Sequence, residues 1–150
     1  MPGTYTNLLY HLVFSTKNRI ALVTAGIRED LYKYIGGIVR GEKGKLLEIG
    51  GMPDHVHLLV KLRPTITVSE MLNRIKAKSS KWINEEKAKL RKFGWQEGYA
   101  AFSVSESQVG RVRAYIRDQE LHHKRQSFQD EFRALLDKHS IEYEERYLWD

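Results

Sequence analysis

The chain has 150 residues, 41% of them hydrophobic, no cysteine, and 25 Lys and Arg against 19 Asp and Glu, for a formal net charge of +6. That length and apolar content suit one compact domain over residues 1–150 with one respectable core. Without cysteine there are no disulfides, thiolate nucleophiles or Cys-ligated zinc, so any metal must take imidazole, carboxylate or amide oxygen.

The basic balance, with a pI near 9.5, favours anionic partners, nucleic acid ahead of a membrane surface. No stretch approaches the roughly 20 apolar residues of a spanning helix, and the polar N-terminus lacks a signal-peptide pattern, so a soluble, cytoplasmic protein without membrane partners is expected.

In chain order, Thr4 to Ser15 reads as a strand rich in Tyr, Leu, Val and Phe, with Thr16 to Arg19 as its exit loop. Ile27 to Arg40 carries a helical stripe at Leu31, Tyr34, Ile35 and Ile38, ended by glycines. Lys45 to Ile49 and His55 to Leu62 flank Gly50 to Asp54 as an antiparallel hairpin. After Pro64, Thr67 or Ser69 can cap a helix running to about Lys89, with Val68, Met71, Leu72, Ile75 and Ile83 inward and Lys76, Lys87 and Lys89 in solvent.

Tyr99 to Val104 reads as a short strand, and Ser105 with Gln108 as a capping box opening a third helix to about His123. Ser127 opens a further amphipathic segment with Phe128, Phe132, Leu135 and Leu136 on one side, before an aromatic tail at Tyr143, Tyr147 and Trp149. The fold expected is α+β. It is a ferredoxin-like (RRM-like) β-α-β-β-α-β antiparallel sheet with helices on one face, the other face free, and an appended C-terminal catalytic helix.

The chemistry centres on Asp54-His-Val-His57. Strand alternation projects His55 and His57 together onto the free face while Val56, Leu58, Val60 and Leu62 face the core. Two imidazoles so placed can grip one metal ion. Helix three supplies complementary groups: Tyr115 and Gln119 lie four apart on one face, a phenol able to attack phosphorus and an amide oxygen suited to Mg²⁺ or Mn²⁺. Arg111, Arg113, Arg117 and Lys124 would supply positive potential for a nucleic-acid backbone.

Together, the run Pro53-Asp-His-Val-His-Leu-Leu-Val60, the helix Tyr115-Ile-Arg-Asp-Gln-Glu-Leu-His-His123 and the ending Ile141-Glu-Tyr-Glu-Glu-Arg-Tyr-Leu-Trp149 resemble the single-tyrosine transposases of the insertion sequence 200/605 type, in the HUH endonuclease superfamily. The resemblance implies His55, His57 and Gln119 as metal ligands and Tyr115 as nucleophile. It further implies a homodimer that cleaves and rejoins hairpin-marked single-stranded DNA through a 5′-phosphotyrosine link, helix three of one subunit docking on the histidines of the other.

Other residues have blander readings. His122 and His123 complement the dipole at a helix C-terminus and stay outside the site. His11 is a polar group on a strand with no assigned role. Asp54 serves either as an acceptor orienting His55 or as a turn residue. Lys76, Lys78 and Lys81 form a solvated helix face, and Trp82 and Trp95 are packing residues rather than base-stacking platforms. Two rival functions stand beside the transposase: a domesticated relative that processes chromosomal repeat hairpins, and a non-catalytic single-strand-binding module, which shares the sheet architecture but lacks the RRM aromatic signature.

Overall fold

The structure, a computed structural model, describes residues 3–87 and 91–150. Strands β1 (Leu8–Ser15), β2 (Lys45–Met52), β3 (His55–Leu62) and β4 (Ala100–Val104) form one antiparallel sheet in the order β2-β3-β1-β4. Helices α1 (Ala25–Gly41) and α2 (Val68–Glu86) supply the crossovers, which makes this the expected β-α-β-β-α-β fold.

Alternation sorts the sheet into two faces. Leu12 and Phe14 of β1 and Val56, Leu58, Val60 and Leu62 of β3 pack on Leu31, Ile35, Met71, Leu72 and Ile75 of α1 and α2. Thr67 caps α2 as expected, its side chain accepting from the Glu70 amide. Trp95 is buried and donates to Ser79, and Trp82 stacks on Tyr34, so both tryptophans pack. Lys76 departs from the solvated reading: it is partly buried and donates to the carbonyls of Gln96, Glu97 and Gly98. Helix α2 ends at Glu86, and Lys89 lies outside the described residues.

Two local expectations change. Gly50 and Gly51 belong to β2, which pairs through Met52 with His55, so the hairpin turn is Pro53-Asp54 alone. Ser105 forms no side-chain cap; a 3₁₀ turn at Glu106–Gln108 leads into α3 (Val109–Arg117).

The larger difference concerns the second face, which was expected to be free. Here α3, α4 (Gln119–His123) and α5 (Phe128–Lys138) fold back over it. Phe128, Phe132, Leu135 and Leu136 of α5 close a second apolar cluster on Val13, Ala100 and Phe102. The stripe on α5 was legible, but its target was not: an amphipathic helix must bury that stripe, and the sheet's second face was the apolar surface still unpaired.

Gly50 lets α3 seat. It lies opposite His57 in the register, and a Cβ there would stand 2.3 Å from the Ile116 carbonyl oxygen. Replacing Gly50→Ala is expected to push α3 off the sheet and lower stability by about 1–3 kcal/mol in a denaturant melt; an unchanged midpoint would contradict this packing.

Candidate active site

His55 and His57 stand at adjacent same-face positions of β3, and both are fully buried. Their partners fix which ring nitrogen faces the site. His55 Nδ1 lies 2.7 Å from Asp54 Oδ1, and His57 Nδ1 lies 2.9 Å from His11 Nε2. Both Nε2 atoms therefore turn toward the covering helices, the arrangement that leaves Nε2 available as a ligand. Asp54 thus takes the orienting role, and His11, buried on β1, backs His57.

The helix breaks at Asp118, so Tyr115 lies in the last turn of α3 and Gln119 begins α4 instead of sharing one continuous helix. Both still reach the histidines. The Gln119 side chain is buried with Oε1 3.1 Å from His55 Nε2, and the Tyr115 ring meets that of His57 edge-on at 5.7 Å.

Sequence reasoning missed the residue at the middle of this cluster. Glu131 of α5 is 1% exposed. Its Oε1 lies 3.0 Å from His57 Nε2, 3.4 Å from His55 Nε2 and 3.1 Å from His123 Nε2. Its Oε2 accepts from the Tyr115 hydroxyl in a short hydrogen bond and from Gln119 Nε2 at 3.1 Å. His123, expected to serve only the helix dipole, instead enters the cluster, with Nε2 also 3.1 Å from Gln119 Oε1.

A signal for Glu131 exists in the sequence. It occupies the i+3 position from Phe128 and i−4 from Leu135, a carboxylate on an otherwise apolar stripe. Lys, Glu, Arg and Asp are almost never buried unless paired, so a charge there asks for partners.

The electrostatics follow from burial and these contacts. Burial alone would raise the Glu131 carboxyl, but hydrogen bonds from His55, His57 and Tyr115 hold it well below the usual carboxylate range. For His55, burial works against charge, yet Asp54 and Glu131 outweigh it and push the imidazole up to about 9. His57 is lowered by burial, and His11 is lowered to about 3 by burial and by His57. The Tyr115 phenol is raised, by burial first and then by the Glu131 charge.

The metal fit is favourable. Ligand atoms of His55, His57 and Glu131 lie within 4.8 Å of one another. Ligands about 2.1 Å from a shared octahedral ion stand about 3 Å apart when adjacent, close to the spacings here. Two imidazoles, a carboxylate and an amide oxygen suit Mn²⁺ or Mg²⁺ better than a thiophilic ion.

The basic residues divide. Arg113 is paired with Glu48 at 3.2 Å on β2. Arg111 lines a cavity of about 610 Å³ beside Tyr115, with His11, Phe102, Lys138 and His139. Arg117 and Lys124 line a second cleft at the α3–α4 junction, with Arg28, Tyr32 and Gln119.

A family model described as "Transposase IS200 like" matches residues 4–119. The chain belongs to the IS200-like transposase family. It is 25% identical over 122 residues to the ISDra2 transposase TnpA of Deinococcus radiodurans, covering 78% of this chain and 87% of that protein. It is 27% identical over 125 residues to the transposase for insertion sequence element IS200 of Salmonella typhimurium, covering 79% and 81% respectively.

Solved structures share the fold of this IS200-like transposase. One, described as a transposase from Deinococcus radiodurans, superposes with a TM-score of 0.63 at 23% identity, covering 79% of this chain and 95% of that one. Another, a REP-associated tyrosine transposase bound to a REP hairpin, superposes with a TM-score of 0.62 at 15% identity, covering 82% and 73%. Glu131 and His123 lie beyond the segment that the family model matches.

In metal-free protein, an NMR titration is expected to show His55 doubly protonated up to about pH 9, with Asp54→Asn moving it back toward 6.5. A His55 that is neutral at pH 7 would contradict the Asp54–His55–Glu131 arrangement.

Proposed function

We propose that this transposase cleaves and rejoins single-stranded DNA, with Tyr115 as nucleophile and a divalent ion, Mg²⁺ or Mn²⁺, held by His55, His57, Gln119 and Glu131. The observation that carries the reading is the convergence of a phenol, two imidazoles, a neutral amide and a carboxylate on one buried point of a basic chain. When bound, the ion withdraws charge from the scissile phosphate.

The protein's own residues do the remaining work. Asp54 and His11 hold the two imidazoles with Nε2 inward. Tyr115 attacks phosphorus, its oxygen forming the P–O bond while the bond to the 3′ oxygen breaks; the phenol gives up a proton and the 3′ oxygen gains one. The product is a 5′-phosphotyrosine link and a free 3′-OH. A 3′-OH from another end can then attack that link and rejoin the strand without external energy, because each step exchanges one phosphodiester for another.

The cavity beside Tyr115 and the cleft at the α3–α4 junction are the places proposed for the strand, where Arg111, Arg117 and Lys124 would supply positive potential. Arg113 contributes less, being tied to Glu48. Hairpin-bearing DNA is the substrate form we propose, in keeping with the hairpin held by the REP-associated structural neighbour. The resemblance also implies a homodimer. Within one chain, however, Tyr115 already meets His57, which favours a site complete in each subunit.

Incubation with a hairpin-ended single strand and Mn²⁺ is expected to give a covalent protein–DNA adduct that disappears in Tyr115→Phe; strand binding without adduct under any metal would make the chain a binding module instead. Mixing Tyr115→Phe with His55→Ala subunits is expected to restore no activity in confirmed heterodimers, and recovery would show that helix three works in trans.

Metal must also displace the proton that His55 holds up to about 9. Calorimetry at pH 7 should therefore show release of about one proton per Mn²⁺, with affinity rising about tenfold per pH unit toward 9. Affinity flat between pH 7 and 9 would contradict ligation by His55.

A further inference from the structure

Glu131 stands where the metal-binding half of the site and the nucleophile meet, and its two oxygens face different groups. Oε1 points into the imidazoles. Oε2 accepts two hydrogen bonds, from the Tyr115 hydroxyl and from Gln119 Nε2. The second of these settles the orientation of the Gln119 amide: with its NH₂ given to Glu131, its Oε1 must turn toward His55 Nε2, 3.1 Å away.

We propose that Glu131 is a positioning residue for strand cleavage: through Oε2 it holds the Tyr115 oxygen and the Gln119 amide in register with the ion that its Oε1 helps to bind. This rests on the proposed metal-dependent tyrosine chemistry. It extends the working site to α5, outside the matched family segment of residues 4–119.

The need for such a residue follows from the geometry of attack. A tyrosine side chain turns about two torsions, and in-line displacement tolerates little error, since a misplacement of about 1 Å can lose about a hundredfold in rate. The Tyr115 hydroxyl donates to Glu131, with Gln119 also beside it, while His57, His11 and His122 meet its ring. Glu131 is itself held on the Phe128–Phe132–Leu135 stripe that docks α5 on the sheet. The position of the nucleophile is thereby tied to a rigid helix seated by apolar burial.

An amide cannot do the same work. In Glu131→Gln, an oxygen left at the imidazoles turns an NH₂ toward the Gln119 NH₂, so that donors face donors, and the Tyr115 hydroxyl loses the acceptor that holds its proton and can only accept. Gln119 then has to flip, which points its NH₂ at His55. Asp keeps both charged oxygens on a shorter arm.

The test compares wild type, Glu131→Gln and Glu131→Asp on a single-stranded hairpin end with Mn²⁺. Thermal melts of each variant check folding, and strand binding is measured without metal. Glu131→Gln is expected to lower the single-turnover rate of adduct formation about 30- to 100-fold, with KM and metal-free strand affinity within about threefold. Its Mn²⁺ affinity, measured by calorimetry, should fall about tenfold, and should fall equally in a Tyr115→Phe background, where no hydroxyl remains to be held. Glu131→Asp should recover at least about tenfold of the lost rate.

An adduct rate within about twofold of wild type in Glu131→Gln would overturn the proposal while leaving the transposase reading intact. Loss of strand affinity and melting temperature together, unrelieved by Asp, would reduce Glu131 to a structural residue. No adduct from wild type would overturn the transposase reading and this proposal with it.

Discussion

A single ionised carboxylate, buried among three imidazoles, a phenol and an amide, organises the second face of this sheet. Isolated charge in a protein interior is costly, and removing one partner of a buried pair typically costs about 3–5 kcal/mol. Glu131 avoids that penalty only if His55, His57, His123, Tyr115 and Gln119 all come to it. Five residues from β3, α3 and α4 are thus held to one point by a sixth on α5. The apolar stripe of α5 then clamps that point onto Val13, Ala100 and Phe102.

The sheet supplies the other half of the constraint. Period-two alternation places His55 and His57 on the face opposite α1 and α2, and pairing with β1 brings His11 within hydrogen-bond reach of His57. Gly50, directly across from His57, removes the one side chain that would hold α3 away. Packing and chemistry make the same demand here, because the close approach that seats Ile116 also delivers Tyr115 to the histidines.

Much of this was legible in the sequence, for reasons that differ by element. The order of strands and helices, the two-faced β3 and the capped α2 follow from local periodicity and capping chemistry. His55 and His57 stood out as paired imidazoles on one strand face, and Tyr115 and Gln119 because a Tyr-x-x-x-Gln helix downstream of that pair resembles the single-tyrosine transposases; the structure brings all four together. The helix break at Asp118 was hidden because nothing in the local pattern opposes continuation. Glu131 and His123 were hidden for another reason. Their roles depend on where α5 docks, a contact between segments more than 70 residues apart, and a lone acid on an apolar stripe says only that partners exist.

Anomalous diffraction from crystals of the Tyr115→Phe protein grown with Mn²⁺ and a single-stranded hairpin would decide whether these residues form one centre. One strong peak is expected within about 2.4 Å of His55 Nε2, His57 Nε2, Gln119 Oε1 and Glu131 Oε1, with a DNA phosphate oxygen completing the set and residue 115 facing phosphorus. A peak ligated elsewhere, or a phosphate seated away from residue 115, would contradict it.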